Sequence, residues 1–553
     1  MYYRIALITR PRHASNDPVW GTYVSLVTAG HAVELINLDV YPDALLPDGT
    51  VNASLLQPFF DAFRPDLVTT EAESPEAILE ACEQSGASGM SVPAKRFVAL
   101  GYIGEENFGD ELVFSLICQH VRDTYPEGYV SLVGHNPRRT LAEHGIVSVD
   151  VTDKFAIDLM FNGAAAFVMM AGILFDLFFD TTAGRIDYML EPEWEIPGQV
   201  ACVQLAWMHG VPTVYMGIGA GPLSNPDACA FLRLAGQLGA VFCSRDHETA
   251  RLLLNAGVPD EAIVRTADIA LTLASERERY VASDESDVLL VTLRDFPSVD
   301  ESFAERTARA IDALAGSHDV RPVFLDLAPE DGELHARVRE LLSPQMRERA
   351  EQQRVRAIPE ALRTIGMARA VLATRLHGSI VANAFGIPSV GFDYNEKVRA
   401  YYEVMGMERL LLPMDAPADD IERALRCCLD EHDALTAQIN ARLAGAEADA
   451  HAGHADDAAS DNDLTGRSLL NFEVLDKTVA QHPNAPRALR LYEKTVAPSR
   501  KRAEALEQEL VAVREERDHL ASELHELKAS TSWRVGNALT APARFVKDRL
   551  SGQ

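Results

Sequence analysis

Arg375, His377 and Lys397 are the residues of this chain whose types and spacing most directly suggest chemistry. The apolar run Ala370-Val-Leu-Ala-Thr374 ends in Arg375-Leu-His377-Gly378, and an Ala-rich helical pattern begins at once. That order places a guanidinium and an imidazole where a buried parallel strand hands over to a helix, with Gly378 in its first turn. In open α/β sheets, ligands bind at this carboxyl end of the strands. Free N–H groups and the positive end of the helix dipole attract anions there. An imidazole gives or takes a proton near neutral pH with little tuning. Tyr394-Asn-Glu-Lys397 follows the next apolar run and adds an ammonium at a second helix start. A surface ion pair for the Arg and a cap for the His are the competing roles.

Other strand exits carry related chemistry. Gly101-Tyr-Ile-Gly104-Glu-Glu-Asn107-Phe-Gly109-Asp110-Glu111 follows an apolar run and opens a helix. Its glycines let backbone approach a ligand, and Asn107 and Gly109 stand at the helix start. Asp110 and Glu111 are either capping carboxylates or proton acceptors acting on a neutral substrate. Gly217-Ile-Gly219-Ala-Gly221-Pro222 is a second glycine-rich exit, with Gly219 as a contact point. Neither segment has G-x-G-x-x-G spacing or the Lys-Ser/Thr of a P-loop, so nucleotide binding by those devices is not expected. Ser244-Arg245-Asp246 and Leu293-Arg294-Asp295 each set an Arg at a strand end, as an ion pair or as a fork for carboxylate or phosphate.

To hold these residues together the chain needs parallel sheets. Strands are expected at Phe97–Tyr102, Tyr129–Gly134, Ala166–Ala171, Thr213–Ile218 and Val241–Ser244, separated by amphipathic helical patterns such as Gly109–Arg122, Gly198–His209 and Asp227–Gly239. The same rhythm returns at Val288–Leu293, Val320–Leu325, Ala370–Thr374 and Ser389–Phe392. Such alternation predicts doubly wound sheets with helices on both faces. The expected organisation is a small α/β unit over 1–95, a first lobe over 96–275 and a second lobe over 286–443. An acidic, disordered linker follows over 444–466, then a helical region with a coiled coil over 467–530 and a basic amphipathic tail over 531–553. Within the coiled coil, Leu506, Leu510, Val513, Arg517, Leu520, Leu524 and Leu527 alternate steps of four and three, which predicts a homo-oligomer. Trp533, Phe545, Leu550 and the basic residues among them suggest a foot on a membrane surface.

Composition narrows the function. The 553 residues carry a net charge of −31, which argues against a general nucleic-acid role and obliges any anionic substrate to find a local basic pocket. The seven cysteines include no C-x-x-C pair, so no metal site is expected and a reducing cytoplasm fits. His451 and His454 sit in the linker, where solvated histidines are the common case. Leu159–Phe179 approaches the length of a membrane span, but Gly163, Gly172 and Asp176 argue for a helix end, a buried strand and a loop.

Taken in order, Gly-Tyr-Ile-Gly-x-x-Asn-Phe-Gly-Asp-Glu, Gly-Ile-Gly-Ala-Gly-Pro-Leu, Ser-Arg-Asp, Thr-Arg-Leu-His-Gly, Gly-Ile-Pro and Tyr-x-x-Lys resemble the motif series of the polysaccharide pyruvyl transferase family over about residues 97–430. Two segments depart from it. Met169-Met-Ala-Gly172 stands where the family commonly has a Gly-Gly-Gly run, and Ala267-Asp268-Ile269 stands where it has Asp-Pro. A coiled coil ending in Ser-x-Ser-Trp-Arg resembles appendages of surface-glycan glycosyltransferases. The resemblance implies a two-lobed GT-B-like fold and transfer of the pyruvyl unit of phosphoenolpyruvate to a sugar diol of a glycan or lipid-linked glycan, as a cyclic ketal, with release of phosphate. No cofactor is implied. Arg375, Lys397, Arg294 and Arg245 would hold the donor, His377 would supply a proton, and Asp110 or Glu111 would accept one. The expected place is the cytoplasm, with the tail touching the inner membrane face. The alternatives are a glycosyltransferase with a nucleotide-sugar donor on the same fold, or a non-catalytic assembly factor for glycan enzymes.

Overall fold

In the computed structural model the described residues are 1–9, 18–70, 74–170, 173–174, 196–281, 286–295, 302–445 and 463–482. Their strands form parallel sheets whose order follows from where the apolar runs fall. The N-terminal sheet is β2-β1-β3, from Arg4–Thr9 (β1), Ala32–Asn37 (β2) and Leu67–Thr69 (β3). The first lobe contains Lys95–Gly101 (β4), Gly128–Gly134 (β5), Ser148–Asp150 (β6), Ala166–Met170 (β7), Ile173–Leu174 (β8), Thr213–Ala220 (β9), Val241–Ser244 (β10) and Ile263–Arg265 (β11). Its order is β11-β10-β9-β7-β4-β5-β6, with β8 paired to β9. The second lobe contains Val288–Thr292 (β12), Arg321–Asp326 (β13), Glu351–Arg354 (β14), Ala368–Ala373 (β15), Ser389–Asp393 (β16) and Leu411–Pro413 (β17), in the order β14-β13-β12-β15-β16-β17.

Both lobes are thus doubly wound: the first strand lies inside the sheet, the next two run to one side and the later ones to the other. That topology leaves a switch point, between β4 and β7 in the first lobe and between β12 and β15 in the second, where ligands characteristically sit. Central strands β7 and β12 are buried along their whole length, as expected where helices cover both faces of a parallel sheet. The lobes are tied by the 3-10 segment Ile269–Arg279 and by a hydrogen bond from the Phe108 N–H to the Leu327 carbonyl, 3.0 Å. Phe108 and Leu112 of the first lobe pack into the second lobe's core.

The membrane question at Leu159–Phe179 resolves as far as Met170. The helix Lys154–Met160 ends there and β7 follows, and among the described residues no helix is long and apolar enough to cross a membrane. Beyond the second lobe, the expected linker ends earlier than 466. Leu464 is fully buried and begins a helix, Leu464–Gln481, that returns to the first lobe through Phe472, Leu475 and Val479. The expected coiled coil and basic tail lie outside the described residues.

A buried guanidinium joins the N-terminal sheet to the first lobe. Arg96, 2% exposed, donates to the Tyr23 hydroxyl and, at 2.5 Å, to the Asn162 carbonyl. Nearby, Glu34 accepts from Ser131 Oγ at 2.6 Å, and burial lifts its carboxyl to about 7. Removing the guanidinium strands the buried Tyr23 hydroxyl and Asn162 carbonyl. Arg96→Ala is therefore expected to cost roughly 1–3 kcal/mol for each group left unsatisfied, read from the urea midpoint of the full chain.

Candidate active site

The switch points of the two lobes meet at the start of the helix Phe108–Thr124. Asn107 caps this helix by accepting the Gly109 N–H at 3.3 Å, and the His377 ring lies flat against Gly109. A Cβ at position 109 would stand 1.9 Å from His377 Nδ1, so only glycine lets the two lobes approach this closely. His377 itself sits in the first turn of the helix Leu376–Ala384, whose N-cap is Arg375 with no side-chain cap. The Gly378 N–H donates to the Arg375 carbonyl at 3.0 Å, and Leu376 and His377 supply the N–H groups at the positive end of this helix.

Asp268 stands between a guanidinium and the imidazole. Its Oδ2 accepts from Arg245 Nη1 at 3.2 Å and lies 3.7 Å from His377 Nε2, while its Oδ1 caps the Ile269–Arg279 segment through the Ala270 N–H at 3.0 Å. Arg245 packs its guanidinium on Gly219, where a Cβ would come within 2.6 Å of Nη2. Arg245 Nη2 and His377 Nε2 are both buried and find no hydrogen-bond partner among the described residues. Native proteins rarely bury such atoms without a use for them.

Arg375 is more tightly engaged than its place in the sequence suggests. Its Nε donates to both oxygens of Asp331 at 3.0 Å, and its Nη2 donates to Asp331 Oδ1 at 2.5 Å and to Glu330 Oε1 at 2.7 Å. Asp331 is fully buried and also accepts the N–H groups of Leu327 and Ala328, each at 3.0 Å. This carboxylate thus orients Arg375 along one edge and shapes the loop after β13. Arg294 lies at the end of β12 with Nε 3.8 Å from Glu330, and its backbone N–H is held by Thr374 Oγ1 at 2.5 Å. Just before it, the Leu293 N–H donates to His335 Nε2 at 2.8 Å, so the opposite ring nitrogen must donate to Asp326, 2.5 Å away. Gly378 packs close against Thr292 and keeps the His377 helix on β12.

Glu111 is held by a backbone N–H and an imidazole. Its Oε1 accepts the Gly104 N–H at 2.8 Å and its Oε2 meets His144 Nε2 at 2.6 Å. Through these bonds Glu111 fastens the loop after β4. Asp331, Glu330 and His335 are site residues that sequence reasoning missed. No local pattern marks them, since each works on a residue from 42 to 45 positions away.

The remaining groups share one electrostatic environment. Burial holds His377 down to about 4; Asp268 opposes this, and Arg245, Lys397 and Arg375 reinforce it. Lys397 is lowered to about 7, first by burial and then by Arg245 and Arg294, with Asp110 opposing. Asp110 is raised to about 7 by burial and by Glu111, against Lys397, Arg245 and Arg375. Near neutral pH the imidazole is uncharged, while the ammonium and the Asp110 carboxyl each sit close to their midpoints. Arrays of perturbed titratable groups in a cleft mark functional sites. Exposed Tyr102, on the loop after β4, stands at the rim.

A larger interlobe cleft of about 520 Å³ opens beside the site, lined by Phe108, Glu111, Arg139, Tyr280, Leu327 and Arg354 among others. It shares the start of the Phe108–Thr124 helix with the cluster but holds none of Arg245, Arg294, Arg375 or Lys397.

Two doubly wound lobes whose switch points converge on cations, an imidazole and a tunable carboxyl define a transferase of the GT-B-like class. Residues 107–396 match the model of the family described as polysaccharide pyruvyl transferase, more than half of the chain, and the chain belongs to that family. No curated protein matches it by sequence. Among solved structures, UDP-GlcNAc 2-epimerase of Neisseria meningitidis bound to UDP-GlcNAc is 11% identical over 69% of this chain and 100% of its own, with a TM-score of 0.45. The UDP-GlcNAc 2-epimerase of Methanocaldococcus jannaschii is 12% identical over 69% of this chain and 99% of its own, TM-score 0.45. An Anabaena protein in complex with UDP is 15% identical over 70% and 98%, TM-score 0.40.

Gly109→Ala tests the interlobe contact. The methyl group must displace the His377 ring, and a shift of about 1 Å at a reacting group costs on the order of 10²-fold in rate. The expected result is that loss in turnover with a folded chain, seen by circular dichroism.

Proposed function

We propose that the protein transfers the pyruvyl unit of phosphoenolpyruvate to two hydroxyls of a glycan or lipid-linked glycan sugar, forming a cyclic ketal and releasing phosphate. The observation that carries this reading is the pair of buried, unpartnered donors, Arg245 Nη2 and His377 Nε2, flanking Asp268. With Lys397, Arg294 and the free edge of Arg375 nearby, they suit a small ligand bearing a carboxylate and a phosphate. The family membership supports the same donor and a glycan acceptor.

The chemistry follows from the charge states. A bound anion raises the pKa of neighbouring cations and of a neighbouring carboxyl. His377, neutral in the free protein, then takes a proton and delivers it to the methylene carbon of the donor, which becomes a methyl group. The adjacent carbon turns cationic and is attacked by the first sugar hydroxyl, whose proton passes to His377, left neutral by the first transfer. Breaking the carbon–oxygen bond to phosphate regenerates a cation, and the second hydroxyl closes the ring as its proton leaves with the phosphate. Lys397, Arg294 and Arg375 hold the departing phosphate and the carboxylate. Tyr102 offers the acceptor ring an exposed aromatic face at the entrance.

Two measurements test this. Binding of phosphoenolpyruvate at pH 7.5 should take up protons, because Lys397, Asp110 and His377 all shift upward beside an anion. Calorimetry in buffers of different ionisation enthalpy reads the sign, and proton release would reject the assignment. Second, His377→Ala should lower phosphate release from phosphoenolpyruvate and a glycan acceptor by roughly 10²–10⁴-fold. Near-full turnover in that variant removes His377 from the mechanism, and nucleotide release from a nucleotide sugar by the unaltered protein would favour glycosyl transfer instead.

A further inference from the structure

The helix Leu464–Gln481 lies outside the family match, and the proposed chemistry makes no use of it. Phe472, Leu475 and Val479 pack into the apolar core of the first lobe, but the N-terminal half of the helix meets that lobe through polar side chains. Asn471 and Ser468 are both fully buried there. Asn471 Oδ1 accepts the Gly217 N–H at 2.8 Å and the Thr266 hydroxyl at 3.1 Å, and its Nδ2 donates to the Ala267 carbonyl at 2.9 Å. Ser468 Oγ donates to the Asp268 carbonyl at 2.7 Å. One turn before Asn471, Arg467 donates to the Thr266 carbonyl at 2.8 Å and accepts the Ala267 N–H at 3.3 Å.

Thr266, Ala267 and Asp268 are therefore gripped, residue by residue, from a single helix. These are the residues that deliver the carboxylate between Arg245 and His377. Leu464, the first residue of the helix, lines the same small pocket as Arg245, Asp268 and Lys397. An amide side chain is the group that fits position 471, because it must accept from within β9, at Gly217, and donate to the segment after β11, at Ala267. Leucine would fill the space and aspartate would lose the donor. Fully satisfied buried polar networks fix a geometry in a way that apolar packing does not.

We infer that Asn471 is a positioning residue for the active site, acting through Asp268 to keep its carboxylate between Arg245 and His377. The anchoring is set by the C-terminal part of the chain, remote in sequence from every residue that meets the ligand. The inference rests on the proposed pyruvyl transfer only where turnover is read.

The test uses the full-length protein and begins without substrate. A carboxylate 3.7 Å from Nε2 favours the neutral His377 tautomer protonated on that nitrogen. Ring ¹⁵N shifts at neutral pH, assigned by their loss in His377→Gln, report that preference. In Asn471→Ala the shifts should move toward a mixture of tautomers, in the same direction as in Asp268→Asn. Turnover should fall on the order of 10²-fold, the scale of a 1 Å misplacement. Adding Asn471→Ala to Asp268→Asn should lower turnover little further, the signature of two residues acting through one group. Unchanged His377 shifts in Asn471→Ala, or fully additive losses in the double variant, would overturn the inference even if the melting temperature drops. Should Asn471→Ala fail to fold, Ser468→Ala removes only the bonds to the neighbouring Asp268 and Ile269 carbonyls and is read the same way. Because the tautomer measurement needs no substrate, it decides the positioning role even if the chain proves to transfer something other than pyruvate.

Discussion

A single carboxylate, Asp268, organises this molecule's chemistry. It must hold its place beside Arg245 and within reach of His377, and do both in a buried setting where a misplaced charge is costly. Much of the surrounding architecture can be understood as meeting those conditions. The glycines at 109 and 219 let the imidazole and the guanidinium come close enough, and the switch points of two sheets supply the strand ends on which they stand.

Carboxylates serve as orienting partners for the cations throughout the site. Asp331 and Glu330 take one edge of Arg375, and Asp268 takes one edge of Arg245. A guanidinium presents donors in a rigid fork, so engaging one edge aims the other. In a chain with a net charge of −31, this lets cations gather in one place while neighbouring carboxylates offset their charge. The lowered Lys397 and the raised Asp110 follow from the same burial and crowding of charge.

How much of this was legible in the sequence differs by element. Long apolar runs such as Phe97–Tyr102 and Ala370–Thr374 announce central strands, because a strand covered on both faces has no polar side to disguise it. Short edges such as β14, Glu351–Arg354, escape, since its residues are all polar and their pairing with β13 is imposed from outside. Strand-end residues were identified for the same reason as the strands: Arg245, Arg294 and Arg375 each terminate a recognisable run. What could not be read was the partner of each. Asp331 reaches Arg375 across 44 residues, and Asn471 reaches Gly217 across 254. The hold of Glu111 on the loop after β4 is equally hidden, because a carboxylate near a helix start looks alike whether it faces a ligand or fastens a loop.

The return of the Leu464–Gln481 helix to the first lobe has a consequence for synthesis. Chains emerge from the ribosome in order, and domains tend to fold as they appear. Here the first lobe can collapse early, yet its Asp268 loop lacks its last anchors until residues 467–471 have been translated. A nascent polypeptide that reaches only as far as the second lobe would thus carry both sheets and the four cations of the candidate site while the Asp268 loop lacked these anchors. The site is completed only after both sheets have been made.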